Sequence, residues 1–230
     1  MKLLFNGNNA PTNRGVLYLN GGITAITSKS TFNNKAINGG GIYTNSNLTI
    51  NSIEFSSNIV SSNGAGLYIN RGSVNVLNNN ASANGGAIYS LNDLNLIATN
   101  FNKNNANSNG GAIFTNGGTT NINSNSVFTG NSAVNGACIY TNNNLNINSI
   151  AFSNNTAKTN GGALYLNGGV TNISGTSNFT NNRAINGGTI YSKSKLFISS
   201  SLFSINSATG GGGVLYSLND LQIINSTFNN

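Results

Sequence analysis

Apolar and polar residues alternate along this chain in short bursts, as in Leu48-x-Ile50 followed by Ile53-x-Phe55, or Leu145-x-Ile147 followed by Ile150-x-Phe152. A period of two belongs to a strand with one face turned inward and one outward. Asn and Gly punctuate the chain every dozen residues or so, and no window places apolar residues at i, i+3, i+4 and i+7. The pattern predicts short strands throughout and no helix.

The bursts recur in step. Close variants of Asn84-Gly85-Gly86-Ala87-Ile88-Tyr89 return along the whole chain, with their aromatic residue at Tyr18, Tyr43, Tyr68, Tyr89, Phe114, Tyr140, Tyr165, Tyr191 and Tyr216, spaced 25, 25, 21, 25, 26, 25, 26 and 25 apart. A second landmark, Phe-x-x-Asn, follows after 9 to 14 residues at Phe55, Phe101, Phe128, Phe152, Phe179 and Phe203. Phe32 lacks the Asn three places on, and Leu77 with Asn80 takes the place of the pair in the short third repeat. Each repeat therefore reads as three strands, of the kinds Gly-Gly-Ala-Ile-Tyr, Asn-Leu-Asn-Ile and Ser-Ile-Ala-Phe, joined by polar bends.

Three such strands bury no core alone, whereas stacking like on like makes three parallel sheets around a shared interior. The expected fold is all-β, a right-handed single-stranded parallel β-helix of about nine coils, on the order of 43 Å long at about 4.8 Å per coil. Residues 1–14 read as a partial coil or N-terminal edge, with Phe5 in the place of the later phenylalanines and Pro11 at a rim or turn, and residues 15–230 as the repeat domain, ending within its last coil. Met1 to Phe5 begin like a signal peptide that Asn6-Gly7-Asn8-Asn9 cut short, so either a signal has been removed or the sequence is an excerpt. The end, partway through a repeat, favours the excerpt.

The aliphatic residue before each aromatic, from Leu17 to Leu215, is never polar, which places it inside and the aromatic outside. Outward rings at coil spacing stack, adding about 0.5–1.5 kcal/mol per pair beyond burial. The opposite phase would bury eight tyrosine hydroxyls without evident partners. The Asn before the glycines, at Asn38, Asn63, Asn84, Asn109, Asn135, Asn160 and Asn186, is expected at a bend. Asn tolerates the left-handed conformation, and stacked amides can bond from coil to coil. The glycines that follow permit positive φ or close approach of chain to chain.

Coils also alternate. Those with Asn-Gly-Gly after the aromatic, at Asn20, Asn116 and Asn167, take 14 residues to reach their Phe where the others take 12. The two extra residues are expected to bulge at one corner, forming a ridge.

The two landmarks in alternation, Gly-Gly-Ala-Ile and Phe-x-x-Asn, resemble the repeats of the chlamydial polymorphic membrane proteins, over essentially all of residues 15–230. That resemblance implies a β-helix like an autotransporter passenger, secreted or anchored at the surface as a stalk and used in adhesion. A leucine-rich repeat is the structural rival, since Ile53-x-Phe55-x-x-Asn58 imitates its core, but it has no second apolar strand like Gly-Gly-Ala-Ile-Tyr. Calcium-binding nonapeptide repeats need aspartates that are missing.

Composition narrows the function. Charged residues make up 6% of the chain, so solubility falls to Asn, Ser and Thr. The net charge of +7 comes from scattered Lys and Arg without a basic patch, which argues against nucleic acid as partner and suits a diffuse attraction to anionic surfaces. There is no His, and the carboxylates are Glu54, Asp93 and Asp220. Asp93 and Asp220 hold equivalent places about 24 Å apart by coil spacing, too far for the pair of a glycosidase at roughly 5–9.5 Å. Catalysis is therefore not expected, nor a cofactor or metal.

Cys138, at the position of Ala87, Ala112 and Ala163, reads as a space-filling residue rather than a reactive thiol. Asn-x-Ser/Thr at Asn47, Asn80, Asn154, Asn172, Asn178 and Asn225 is expected by chance in so Asn-rich a chain. The Gly pairs lack the helix and the Lys of a phosphate loop.

The functional expectation is a non-enzymatic rod at the cell surface or outside the cell, associated with the outer membrane if bacterial, that mediates adhesion or forms a coat. The alternative is a carbohydrate-binding β-helix using the aromatic column as a platform, with a carbohydrate-processing one ranked behind it. Expected partners are a host or matrix glycan or protein, or neighbouring copies joined at exposed strand edges.

Overall fold

A computed structural model describes residues 3–11, 15–27, 30–51, 53–70, 74–77, 80–84 and 86–229; every regular element among them is a strand. No helix among the described residues is long and apolar enough to cross a membrane. One nine-stranded sheet collects the aromatic-bearing strands from Leu17–Leu19 to Leu215–Ser217, and a second those from Ile23–Ile26 to Leu221–Ile224. A ten-stranded third runs from Leu3–Ala10 to Thr227–Asn229. Pairing is parallel and always one coil on, so that Tyr140 lies between Phe114 and Tyr165. This is a β-solenoid. Its coils are numbered below from their aromatic residue, Tyr18 opening the first and Tyr216 the ninth.

The interior follows from the alternation. Ile42, Leu67, Ile88, Ile113, Ile139, Leu164 and Ile190 form one buried column, and Phe32, Phe55, Phe101, Phe128, Phe152, Phe179 and Phe203 another. Full burial of such side chains contributes about 1.5–3 kcal/mol each. Leu3–Ala10 adds a strand to the third sheet, with Phe5 in register with Phe32 and stacked on it at 4.6 Å.

A fourth sheet escapes the sequence pattern. It comprises Ser132–Asn135, Thr156–Asn160, Arg183–Ala184 and Ser207–Ala208, lying between each phenylalanine strand and the next glycine corner. Its inward position is held by alanines in register, Ala133 with Ala157 and Ala184 with Ala208. Strands so short, with so small a side chain inward, leave no apolar alternation to read.

Register corrects three expectations. The two extra residues of alternate coils do not share a corner. Phe114 to Thr120 takes six steps where Tyr140 to Leu145 takes five, and Ile122 to Phe128 six where Ile147 to Phe152 takes five. Each of two corners absorbs one residue, and no two-residue ridge forms.

In the third coil, Leu77 belongs to the second sheet, opposite Asn51 and Ile97. The phenylalanine column is continued in register by Ala81, between Phe55 and Phe101. Residues 78–79 and 85 lie outside the described residues, as do the side chains of Asn80 and Asn84.

The third correction concerns the left-handed corners. Asn38, Asn63, Asn109, Asn135, Asn160 and Asn186 do not adopt positive φ; the glycine after each does, from Gly39 to Gly187. Glycine has no Cβ to clash there, whereas Asn would be strained. Left-handed residues occur instead inside Phe-x-x-Asn, at Ser57, Lys103, Gly130, Asn154, Asn181 and Ile205. This reverses the strand by one residue and turns the following Asn inward. The first coil reaches the same end differently. Two residues separate Phe32 from Lys35 where three separate Phe55 from Ile59, and Asn34 fills the buried Asn position.

Candidate functional site

The aromatic residues sit mid-strand, with an inward aliphatic before them and an inward Thr, Ser, Leu or Ile after. From Tyr43 through Tyr68, Tyr89, Phe114, Tyr140, Tyr165 and Tyr191 to Tyr216, successive ring centroids lie 4.7–5.1 Å apart and within 12° of parallel. Tyr18 tilts by 39° against Tyr43 at 5.6 Å and donates from its hydroxyl to Asn20 Oδ1. The rings are half-buried, Tyr165 more so at 6% exposure. Their faces are turned on one another, so the column offers edges and hydroxyls to the outside.

Ionising these hydroxyls is unfavourable. Burial pushes Tyr68 up to about 12, assisted by the neighbouring Tyr89 and Tyr43. Burial likewise raises Tyr89, and it raises Tyr140 with a further contribution from the neighbouring Tyr165 ring and a smaller opposing one from Lys193. Lys193 is held charged by its hydrogen bond to Tyr165 and stands 5.6 Å from that ring's centroid. It is the one cation placed over the tyrosine column among the described residues.

Asparagine ladders run along the described residues; beyond the three that follow, the Asn two places after the aromatic forms another, Asn45 donating to Asn20, Asn70 to Asn45, Asn142 to Asn116 and Asn167 to Asn142. In the buried one, Asn131 donates from its backbone to Asn155 Oδ1 at 2.8 Å, and Asn155 and Asn182 repeat the contact to Asn182 and Asn206. Each Nδ2 also reaches the carbonyl of a phenylalanine in the preceding coil, Asn155 to Phe128 and Asn206 to Phe179. A buried amide so engaged costs nothing in lost solvation, and one without partners would. These residues, together with Asn34, Asn58 and Asn104, tie the buried Phe column to the corners.

The asparagines before the glycines form the second ladder: Asn135 donates to Asn109, Asn160 to Asn135 and Asn186 to Asn160, each at 3.0 Å. Asn63 reaches Asn38 through its backbone. The third ladder was not anticipated. Asn121, Asn146 and Asn172 each donate to the residue one coil earlier, beginning at Asn95, from the outward position of the second sheet. Its signal lay in the sequence as an Asn recurring once per coil between two inward apolar residues or threonines.

The carboxylates stay apart. Asp93 accepts the Thr119 amide at 2.8 Å, Asp220 faces Lys195 at 3.7 Å in solvent, and Glu54 lies on the outer face of Ile53–Val60. No group of three metal-ligating side chains assembles among the described residues. Cys138 is fully buried, and burial pushes its thiol well up against a smaller opposing contact from Asn131. It fills space, as its column suggests.

Three segments, 73–91, 149–167 and 200–218, match the Chlamydia polymorphic membrane protein repeat. Together the three matches cover 57 of the 230 residues. On the structure, the second and third matches to the polymorphic membrane protein repeat run from ahead of the phenylalanine column, through the buried Asn corner and the fourth side, to the aromatic strand, whereas the first passes through Ala81 and reaches Tyr89 without a fourth-side strand. Residues 149–167 hold Phe152, Asn155, Gly161 and Tyr165, and residues 200–218 hold Phe203, Asn206, Gly212 and Tyr216. Residues 73, 78–79 and 85 of the first match lie outside the described residues. No curated protein and no solved structure matches the chain.

Proposed function

We propose that this chain is a rigid rod displayed at a cell surface or outside the cell, working without catalysis by presenting its sparsely charged, amide-rich exterior for adhesion or coat formation. The observation that carries this reading is the polymorphic membrane protein repeat laid out on an unbroken stack of coils. Its partner would be a host or matrix protein or glycan. The dispersed carboxylates support the non-enzymatic part, since no two share a coil corner where acid and base could act together.

Carbohydrate recognition on the tyrosine column ranks second. Sugars stack on ring faces, and here those faces are spent on neighbouring rings. The test pairs labelling of intact cells, using an antibody to the chain, with binding of beads coated in purified chain to host cells. Labelling without permeabilisation and saturable bead attachment are expected. Labelling only after permeabilisation overturns the surface reading. A glycan array hit lost in Tyr140→Ala, Tyr165→Ala and Tyr191→Ala chains would promote the carbohydrate reading over this one.

A further inference from the structure

The fourth side of the solenoid is continuous through the first two coils and again from the fourth coil onward, but not through the third. Thirteen positions separate Phe55 from Tyr68 and Phe101 from Phe114, whereas eight separate Ala81 from Tyr89. From Tyr68 to Ala81 the third coil is of ordinary length, so its whole deficit falls on the fourth side. The strand Asn80–Asn84 follows its neighbour as far as Ile59 and stops. Gly86 then donates to the Asn105 carbonyl and accepts from Ala65, closing the coil by the short route.

The short route leaves a cleft of about 640 Å³ between the corner of the second coil and that of the fourth. Ile59, Val60 and Ser62 lie on one wall, Ala106 and Ser108 on the other, and Tyr89 closes one end. The flanking coils are two rises apart, about 9.6 Å, which is the separation of two strands with a third between them. In other coils that third strand exists and carries an alanine in register, Ala36 beside Val60 and Ala133 beside Ala157. Fourth-coil backbone continues the sheet upward through bridges of Asn105 to Ser132 and Asn109 to Asn135.

We propose that this cleft accepts an extended segment of another polypeptide, which enters as the missing fourth-side strand. The guest runs parallel to the coils for about four residues, about 13 Å, and places one alanine- or serine-sized side chain between Val60 and Ala106. Main-chain hydrogen bonds to both flanking coils supply affinity, and the narrow inward position supplies selectivity, as in strand addition to an open sheet edge. Residues 59–64 and 105–110 carry no formal charge, so recognition is insensitive to salt. The site stands whether or not the rod is an adhesin.

The probe is a labelled peptide of the chain's own fourth-side sequence, residues 130–136, titrated against the full chain by fluorescence polarisation. Saturable binding that changes less than about twofold between 50 and 500 mM salt is expected. The same peptide with Ala133→Trp is expected to bind at least about tenfold more weakly. Inserting Asn-Ser-Ala-Val after Asn84 fills the cleft from within and should abolish binding. Should that variant not fold, Ser62→Trp obstructs the wall from the surface and should do the same.

No saturable binding, or binding unaffected by both the insertion and Ser62→Trp, overturns the proposal. Concentration-dependent dimerisation of the unmodified chain that the insertion removes would name a second copy as occupant and overturn the choice of a separate polypeptide. A glycan that competes for the cleft while the peptide does not bind would overturn it also.

Discussion

The aromatic column and the fourth side meet at the same glycine corner, yet the short third coil treats them oppositely. Tyr68, Tyr89 and Phe114 stack through it at 4.8 and 5.1 Å without interruption, whereas the strand that should follow Asn84 is missing and a cleft stands in its place. The aromatic strand secures an inward Leu67 or Ile88, an outward ring and a ladder of backbone bonds to both neighbours. Removing any such strand would cut two columns at once. A fourth-side strand contributes one alanine, so its absence forfeits little apolar burial. Repeat length can therefore vary where the inward column is small. The Phe column lies between these extremes: its backbone register persists through Ala81, but its ring pairs stop at Phe55 and resume at Phe101.

The sharpest break is expected from Phe152→Ala, which empties a fully buried position stacked on Phe128 and Phe179. A loss of about 3–5 kcal/mol is expected in urea denaturation; a loss below about 1 kcal/mol would mean that the column does not carry the core. Asn155→Ala comes next. It strips the backbone amide of Asn131 and the carbonyl of Phe128 of their partners. Each buried group left unpaired costs about 1–3 kcal/mol, so slower hydrogen exchange at Asn131 in the variant than in the parent would contradict the ladder.

Tyr140→Leu keeps apolar bulk but removes two stacked pairs at 5.0 and 4.7 Å, each contributing about 0.5–1.5 kcal/mol. The same column makes stability sensitive to alkali. With Tyr68 raised to about 12, the folded chain holds its proton above the ordinary tyrosine value, so stability present below about pH 10 is lost as pH rises toward 12. The melting temperature should fall over that window and fall less steeply in Tyr68→Phe. Smallest of all, Ala157→Gly on the fourth side should cost about 0.5–1 kcal/mol. A penalty rivalling that of Phe152→Ala would erase the contrast between the two sides.

Much of this was legible because a solenoid repeats its constraints. One Tyr is ambiguous, but eight Tyr and a Phe at near-constant spacing, each preceded by an aliphatic, define phase, strand and face together. What stayed hidden are positions where backbone conformation departs from residue type. Lys103 and Ile205 occupy left-handed corners that neither residue favours. Stacking requires the same turn in every coil, so the corner is imposed by its neighbours. Asn34 was overlooked because it stands one residue early, and Ala81 because an alanine does not announce a phenylalanine column.

Local pattern alone is enough for the period, the strand alternation and the inward aliphatic column, since each recurs often enough to exclude other phases. Tertiary structure decided register: where Ala81 pairs, how two extra residues divide between two corners, and which side of the third coil is cut short. Those outcomes depend on which backbone groups of adjacent coils meet, a long-range matter of hydrogen-bond geometry that composition within one repeat does not encode. The cleft beside Tyr89 is the product of that register: a shortened coil leaves an opening only where the coils above and below keep their places.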